Sequence, residues 1–131
     1  MGGTGDIERQ VAYIEDRLSG HHGDSFVFLN VGETHVPYYH RGAAWDVVDS
    51  PCVPFQSLDR AADCRARQSA CCAFVDHALA PLLRRFSGST IMVTSDHGDC
   101  WGEDGLWEHG ISHWATLTVP LLIRVRGRPI G

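Results

Sequence analysis

Apolar residues recur at Ile7, Val11, Ile14 and Leu18, along one side of a helix with about 3.6 residues per turn, after a cap at Thr4 or Asp6. Gly20 and Gly23 break that helix. Residues 26–31, FVFLNV, form an apolar, aromatic and β-branched run of the kind that makes a buried strand. A second helical stripe, Cys72, Val75, Leu79, Leu82 and Phe86, belongs to a stretch that starts near Ser57 or Asp59. Pro81 should kink it or mark a new first turn, and Gly88 ends it. TIMVTS (90–95) and VPLLIRV (119–125) read as two further buried strands. There is no internal repeat and no low-complexity segment.

Helix, strand, helix, strand, strand predicts an α/β fold whose first two strands run parallel through a crossover helix. In such sheets ligands gather beyond the carboxyl ends of the strands. Glu33 and His35 follow the first predicted strand, and Asp96 and His97 follow the second. Parallel neighbours would carry both loops to one rim.

Composition narrows the partners more than the fold. A chain of 131 residues makes one domain at most, and its 44% hydrophobic and 21% charged content is that of an ordinary soluble globular protein. A net charge of -5 argues against nucleic acid as a partner. The one basic run, Arg124, Arg126 and Arg128, is expected to alternate along one face of a terminal strand. No apolar stretch reaches the roughly eighteen residues of a membrane helix, so a membrane is not an expected partner. The start, MGGTGDIERQ, is polar and acidic, unlike a secretory signal, which makes the cytoplasm the default location. Cys52, Cys64, Cys71, Cys72 and Cys100 are odd in number and contain no C-x-x-C, so reduced, mostly buried thiols are expected. Cys100 stands apart because it lies within the most polar stretch.

That stretch is TSDHGDCWGEDGLWEHG, residues 94–110. Asp supplies a hard carboxylate oxygen and His a borderline imidazole nitrogen, so the Asp96–His97 pair at a strand end suits one or two divalent cations. Gly98 lets the chain turn at once and lets another group approach closely. On the tripeptide alone, a capping aspartate beside a surface histidine is the favoured reading.

The surrounding sequence adds a resemblance. TIMVTSDHGDCWGEDGLWEHGISHWATLTVPLLIRVRG resembles the C-terminal portion of the alkaline phosphatase/sulfatase superfamily, where a strand runs into T-S-D-H-G-(E/D) and then a G-x-x-G-L-W segment. FVFLNVGETHVPYYHRG is similar to that family's preceding strand and H-x-P-(F/Y) loop, and CCAFVDHALAPLLRRF to the intervening helix, with its aspartate at Asp76. The resemblance covers roughly residues 7–127. It implies a partial alkaline-phosphatase-like sandwich, a mostly parallel sheet flanked by helices. Residues 1–131 would form a single sulfatase-like domain lacking the N-terminal half that carries the nucleophile and an acidic metal ligand.

Carried over by position, the resemblance implies that Asp96 and His97 are metal ligands. His35, in H-V-P-Y, and His109, in W-E-H-G, would face the substrate, bind a second metal or protonate the leaving group. His109 stands where sulfatases commonly have lysine and several phosphate-handling relatives have histidine, which favours phosphate or phosphonate over sulfate esters. His40 and His113 are expected to be bystanders and Glu33 a loop acid. The implied cofactor is a divalent ion, whether zinc, manganese or calcium. The implied partners are a small anionic ester and either a second copy of the chain or a complementing subunit.

The expected function is therefore a metal-dependent hydrolase of phosphate, sulfate or phosphonate esters, or the metal-binding half of one. The alternative is a homologue that binds metal without turnover. No nucleophile is evident. Thr4 does not follow a strand, and CVPFQ at Cys52, although similar to the sulfatase C-x-P-x-R, has Gln56 in place of arginine and follows the H-x-P loop. Ser95, Asp96 and His97 cannot form a serine-hydrolase relay, since consecutive residues point in different directions and no G-x-S-x-G is present.

Overall fold

The computed structural model describes residues 6–126 and the backbone of 128–129, so Thr4 lies outside the described residues. The first helix, α1, spans Ile7–Leu18, and the Asp6 carboxylate caps it by accepting the Arg9 N–H. The buried Glu33 carboxylate accepts the Ile7 N–H at 2.8 Å, which ties the helix start to the loop ahead of His35. The long helix α2 spans Ala61–Arg85 and starts later than expected, because Asp59 accepts the Ala61 N–H from outside the helix. Pro81 lies within it.

The two helices pack on each other through Ile7, Val11, Val75 and Leu82, with Ile14, Leu79 and Phe86 at the margin. Cys71 takes the buried place that the stripe assigned to Cys72, which faces solvent. A second core holds Tyr38, Cys52, Cys64, Cys71 and Trp107. Arg67, 6% exposed, lies beside it and donates to the Asp49 carboxylate at 2.6 Å and the Asp63 carboxylate at 2.8 Å.

The sheet overturns the expected fold class. Strands β1 (Ile91–Thr94), β4 (Leu121–Val125) and β5 (Arg128–Pro129) form one sheet in the order β1-β4-β5, with antiparallel pairing throughout. Ile91 lies opposite Arg124 and Thr94 opposite Leu121. Residues 26–31 join no sheet among the described residues. Phe26 and Phe28 face solvent, while Leu29 and Val31 pack against the α1–α2 core. The segment thus contributes side chains to the helices and no backbone rungs to a ladder. The helix α2 is accordingly no crossover between parallel strands, and the partial alkaline-phosphatase-like sandwich with a mostly parallel sheet is not formed. The place beside β1 is taken by β4, which returns from the 95–120 segment in the opposite direction.

Nor are the strands buried as their composition suggested: Met92, Val93, Leu121 and Leu122 are exposed. The arginine run does not share one strand face, because Arg126 sits in a turn at φ 45° between β4 and β5. Arg124 donates to the carbonyls of Leu83 and Phe86 at the C-terminal end of α2, where the helix dipole favours a cation. Among the described residues no helix is long and apolar enough to cross a membrane.

The polar stretch folds separately. Strand β2 (Cys100–Trp101) pairs antiparallel with β3 (Trp107–Glu108), and a short helix α3 (Trp114–Leu117) follows. The hairpin turn passes through Gly102 at φ 101°, with a Trp107 ring carbon 3.2 Å from where a Cβ would sit.

Candidate metal centre

His97 lies between β1 and β2, and His109 directly follows β3. The hairpin therefore delivers both from opposite ends, with ring centroids 4.2 Å apart. His35 arrives from a distant loop, where its carbonyl accepts the Tyr38 N–H at 2.7 Å and its N–H donates to Gly32. Its ring centroid stands 4.7 Å from that of His109 and 5.7 Å from that of His97. One ring nitrogen from each of the three lies within 4.8 Å of the others. These three histidines could hold a metal ion.

The hydrogen bonds select which nitrogen each ring offers. His35 Nδ1 lies 2.8 Å from the Val36 carbonyl, and His97 Nδ1 lies 3.0 Å from the Gly98 carbonyl. His109 Nδ1 lies 2.7 Å from Asp99 Oδ1. A carbonyl oxygen has no proton to give, so His35 and His97 must donate Nδ1–H, and a carboxylate asks the same of His109. No Nε2 of the three is engaged in a hydrogen bond among the described residues. A neutral imidazole in that tautomer binds a cation through Nε2 without losing a proton.

Two elements fix this arrangement. Gly98 donates its N–H to Thr116 at 3.0 Å, and a Cβ on Gly98 would stand 2.1 Å from the Ala115 carbonyl oxygen. The close approach anticipated for this glycine is thus the packing of the His97 loop on α3. On the other side Asp99, its side chain 5% exposed, accepts from the Tyr38 hydroxyl at 2.6 Å. That hydroxyl in turn accepts from Trp101 Nε1 at 2.8 Å. Burial, reinforced by the Asp99 carboxylate, pushes the Tyr38 phenol far above its ordinary range, so it remains a donor.

Of the site residues expected from sequence, His35, His97 and His109 come together. Asp96 stays at the edge, largely exposed, with Oδ1 3.8 Å from His97 Nε2. The same Oδ1 accepts the His97 backbone N–H at 3.1 Å, and Asp96 is not one of the three-histidine group. His113 caps α3 by accepting the Ala115 N–H and contacts Cys100 Sγ at 3.1 Å, outside the three-histidine group. His40 stacks on Phe74, Glu33 holds α1, and Asp76 is exposed on α2. Cys52 is a core thiol, while Gln56 bonds within its own loop to Val53 and Leu58.

Sequence reasoning missed Asp99 and Tyr38. Their signals were the last residue of S-D-H-G-D and the tyrosine of H-V-P-Y. Neither spacing says that two loops 61 residues apart will meet through these side chains. No known protein family, curated protein or solved structure matches the chain.

Proposed function

We propose that this chain carries a mononuclear metal centre of hydrolytic type, in which His35, His97 and His109 hold one divalent ion and Asp96 closes the set. The observation that carries the reading is the three-histidine cluster with a common hydrogen-bond pattern: each Nδ1 lies against an oxygen acceptor, which leaves each Nε2 for the ion. An all-imidazole set favours zinc or a similar borderline ion over calcium, which takes six to eight oxygen ligands. Manganese, softer than calcium but still oxygen-seeking, ranks between them.

A divalent ion at this position would polarise a phosphoryl or sulfuryl oxygen and lower the pKa of a water. The chain's own contribution is to leave one side open. His35 and Asp96 are exposed, so an anionic ester can approach without the loops parting. The resemblance of S-D-H-G-D and H-V-P-Y to the alkaline phosphatase/sulfatase superfamily supports esters of phosphate, phosphonate or sulfate as the substrate class. In this reading His35 and His109 serve as ligands and not as proton donors, because both Nδ1 positions are already committed.

A second reading, metal binding without covalent turnover, is favoured by one observation. Tyr38 and Cys100, beside Asp99, are both 0% exposed, and the exposed Ser95 hydroxyl is turned to the His97 carbonyl, to which it donates.

The test is cobalt(II) and zinc titration of the purified chain, followed by assay of aryl phosphate and aryl sulfate esters. One ion per chain with a tetrahedral cobalt spectrum is expected, together with slow, zinc-dependent hydrolysis. Metal uptake without hydrolysis would favour the second reading. Uptake unchanged in His35→Ala, His97→Ala and His109→Ala would remove the centre altogether.

A further inference from the structure

Asp99 makes no use of its charge at the surface. Its side chain is 5% exposed, one oxygen faces His109 Nδ1 at 2.7 Å and the other accepts the Tyr38 hydroxyl at 2.6 Å. His97 Nδ1 is 4.0 Å from Oδ1, further than its own bond to the Gly98 carbonyl. A buried carboxylate is costly unless its lone pairs are used, and here both oxygens have partners. Tyr38 is held in its turn. Trp101 donates to its hydroxyl, and Trp45 Nε1 donates to its carbonyl at 2.9 Å. The chain of bonds therefore runs from indole to phenol to carboxylate to imidazole, and its last member is one of the three histidines of the cluster.

We propose that Asp99 is the positioning residue of the centre, with Tyr38 as its support: the carboxylate fixes the orientation and tautomer of the His109 ring so that Nε2 faces the ion. The inference rests on the metal-centre reading for its purpose, though not for its geometry. His35 and His97 are set by carbonyls of their own neighbouring residues, which any small shift of the loop carries along. His109 has no such local acceptor among its described hydrogen bonds and relies on a side chain from the other arm of the hairpin. Free imidazole prefers the Nε2–H form, which would turn the proton toward the ion. Asp99 reverses that preference. A carboxylate behind a ligating histidine also raises the basicity of the ring, and losing such a partner commonly lowers metal affinity about 10–100-fold.

The test begins on zinc-free protein with long-range proton–nitrogen spectra of the histidine rings. His109 is expected in the Nδ1–H form in the wild type and mainly in the Nε2–H form in Asp99→Ala. Asp99→Asn should keep Nδ1–H, because its amide oxygen still accepts. Zinc titration should then show a loss of about 10–100-fold in Asp99→Ala. A smaller loss is expected in Asp99→Asn and in Tyr38→Phe. An Nε2–H His109 in the wild type, or an unchanged tautomer and zinc affinity in Asp99→Ala, would overturn the proposal. If Asp99→Ala does not fold, an Nε2–H His109 in the wild type, or wild-type zinc affinity in Asp99→Asn, would still overturn it. If the wild type takes up no zinc, the metal reading fails by itself, while the tautomer spectra continue to report on Asp99.

Discussion

His97 and His109 face each other with centroids 4.2 Å apart and planes tilted by 31°, although one precedes β2 and the other follows β3. The hairpin brings the pair together by local pairing, and His35 is added from outside it. Removing any one ring should therefore weaken zinc binding by more than the 10–100-fold of an outer partner. His97→Ala and His109→Ala should cost at least as much as His35→Ala. Asp96→Ala, at an exposed edge, should cost the least of the four. Isothermal titration of the four variants checks the order.

Gly98→Ala should be among the most damaging single-methyl changes in the chain. The added Cβ would stand 2.1 Å from the backbone oxygen of Ala115, and a backbone group cannot swing aside. Overpacking of this kind typically costs about 1–3 kcal/mol. The relief, moving the loop off α3, also displaces His97. Denaturant unfolding and zinc titration should both register the change, and a variant that keeps wild-type values in both would contradict the packing described.

The thiols should divide into one that reacts and four that do not. Cys72 is exposed, whereas Cys52, Cys64, Cys71 and Cys100 are buried. Burial pushes Cys64 and Cys71 up to about 12 and raises Cys72 as well, so access to the reagent is what sets Cys72 apart. A disulfide reagent at neutral pH should label one thiol per native chain, and Cys72→Ser should abolish that fast phase. The same shifts carry a stability consequence. Their contribution is complete below the unfolded thiol value of about 8.5 and is lost as pH rises toward the folded value. Thermal stability should fall across that alkaline window.

At the acid end Asp49 contributes, alongside Asp63, which the same two arginines also hold low. Hydrogen bonds from Arg60 and Arg67 hold the Asp49 carboxyl well below the usual carboxylate range. Its stabilising effect is present above the unfolded value of about 3.9 and disappears as pH falls further, through the lower folded value. Arg67→Met should flatten that acid limb of the stability curve. At neutral pH the same change should cost about 1–3 kcal/mol, since the buried guanidinium also donates to the Asp49 carbonyl.

The parts of the fold that sequence revealed are those set by short-range periodicity. The Ile7, Val11, Ile14, Leu18 stripe and the Asp6 cap gave α1 directly, and the Val75, Leu82 stripe gave the buried side of α2. Strand partnership was not legible in the same way. FVFLNV and TIMVTS have similar composition, yet only the second enters a sheet, because pairing is decided by which distant segment arrives beside it. The meeting of His35 with His97 was expected from a shared rim of parallel strands. It is achieved instead by the Tyr38–Asp99 hydrogen bond between two loops. The histidines were visible as residue types in polar loops, whereas the carboxylate that orients one of them looked like any other acid of the stretch.

The unequal origin of the three rings has a thermodynamic corollary. His97 and His109 are neighbours whenever the hairpin exists, but His35 joins them only while its loop stays docked, 62 positions away in the chain from His97. An ion that binds all three rings binds the docked state alone, and so acts as a clasp whose strength depends on its own concentration. At a hundredfold excess over its dissociation constant it would hold that loop by about 2.7 kcal/mol. Chelation would then loosen residues 32–40 before it unfolds either helix, and amide exchange in that loop, far more than in α1 or α2, would follow the free zinc level of the solution.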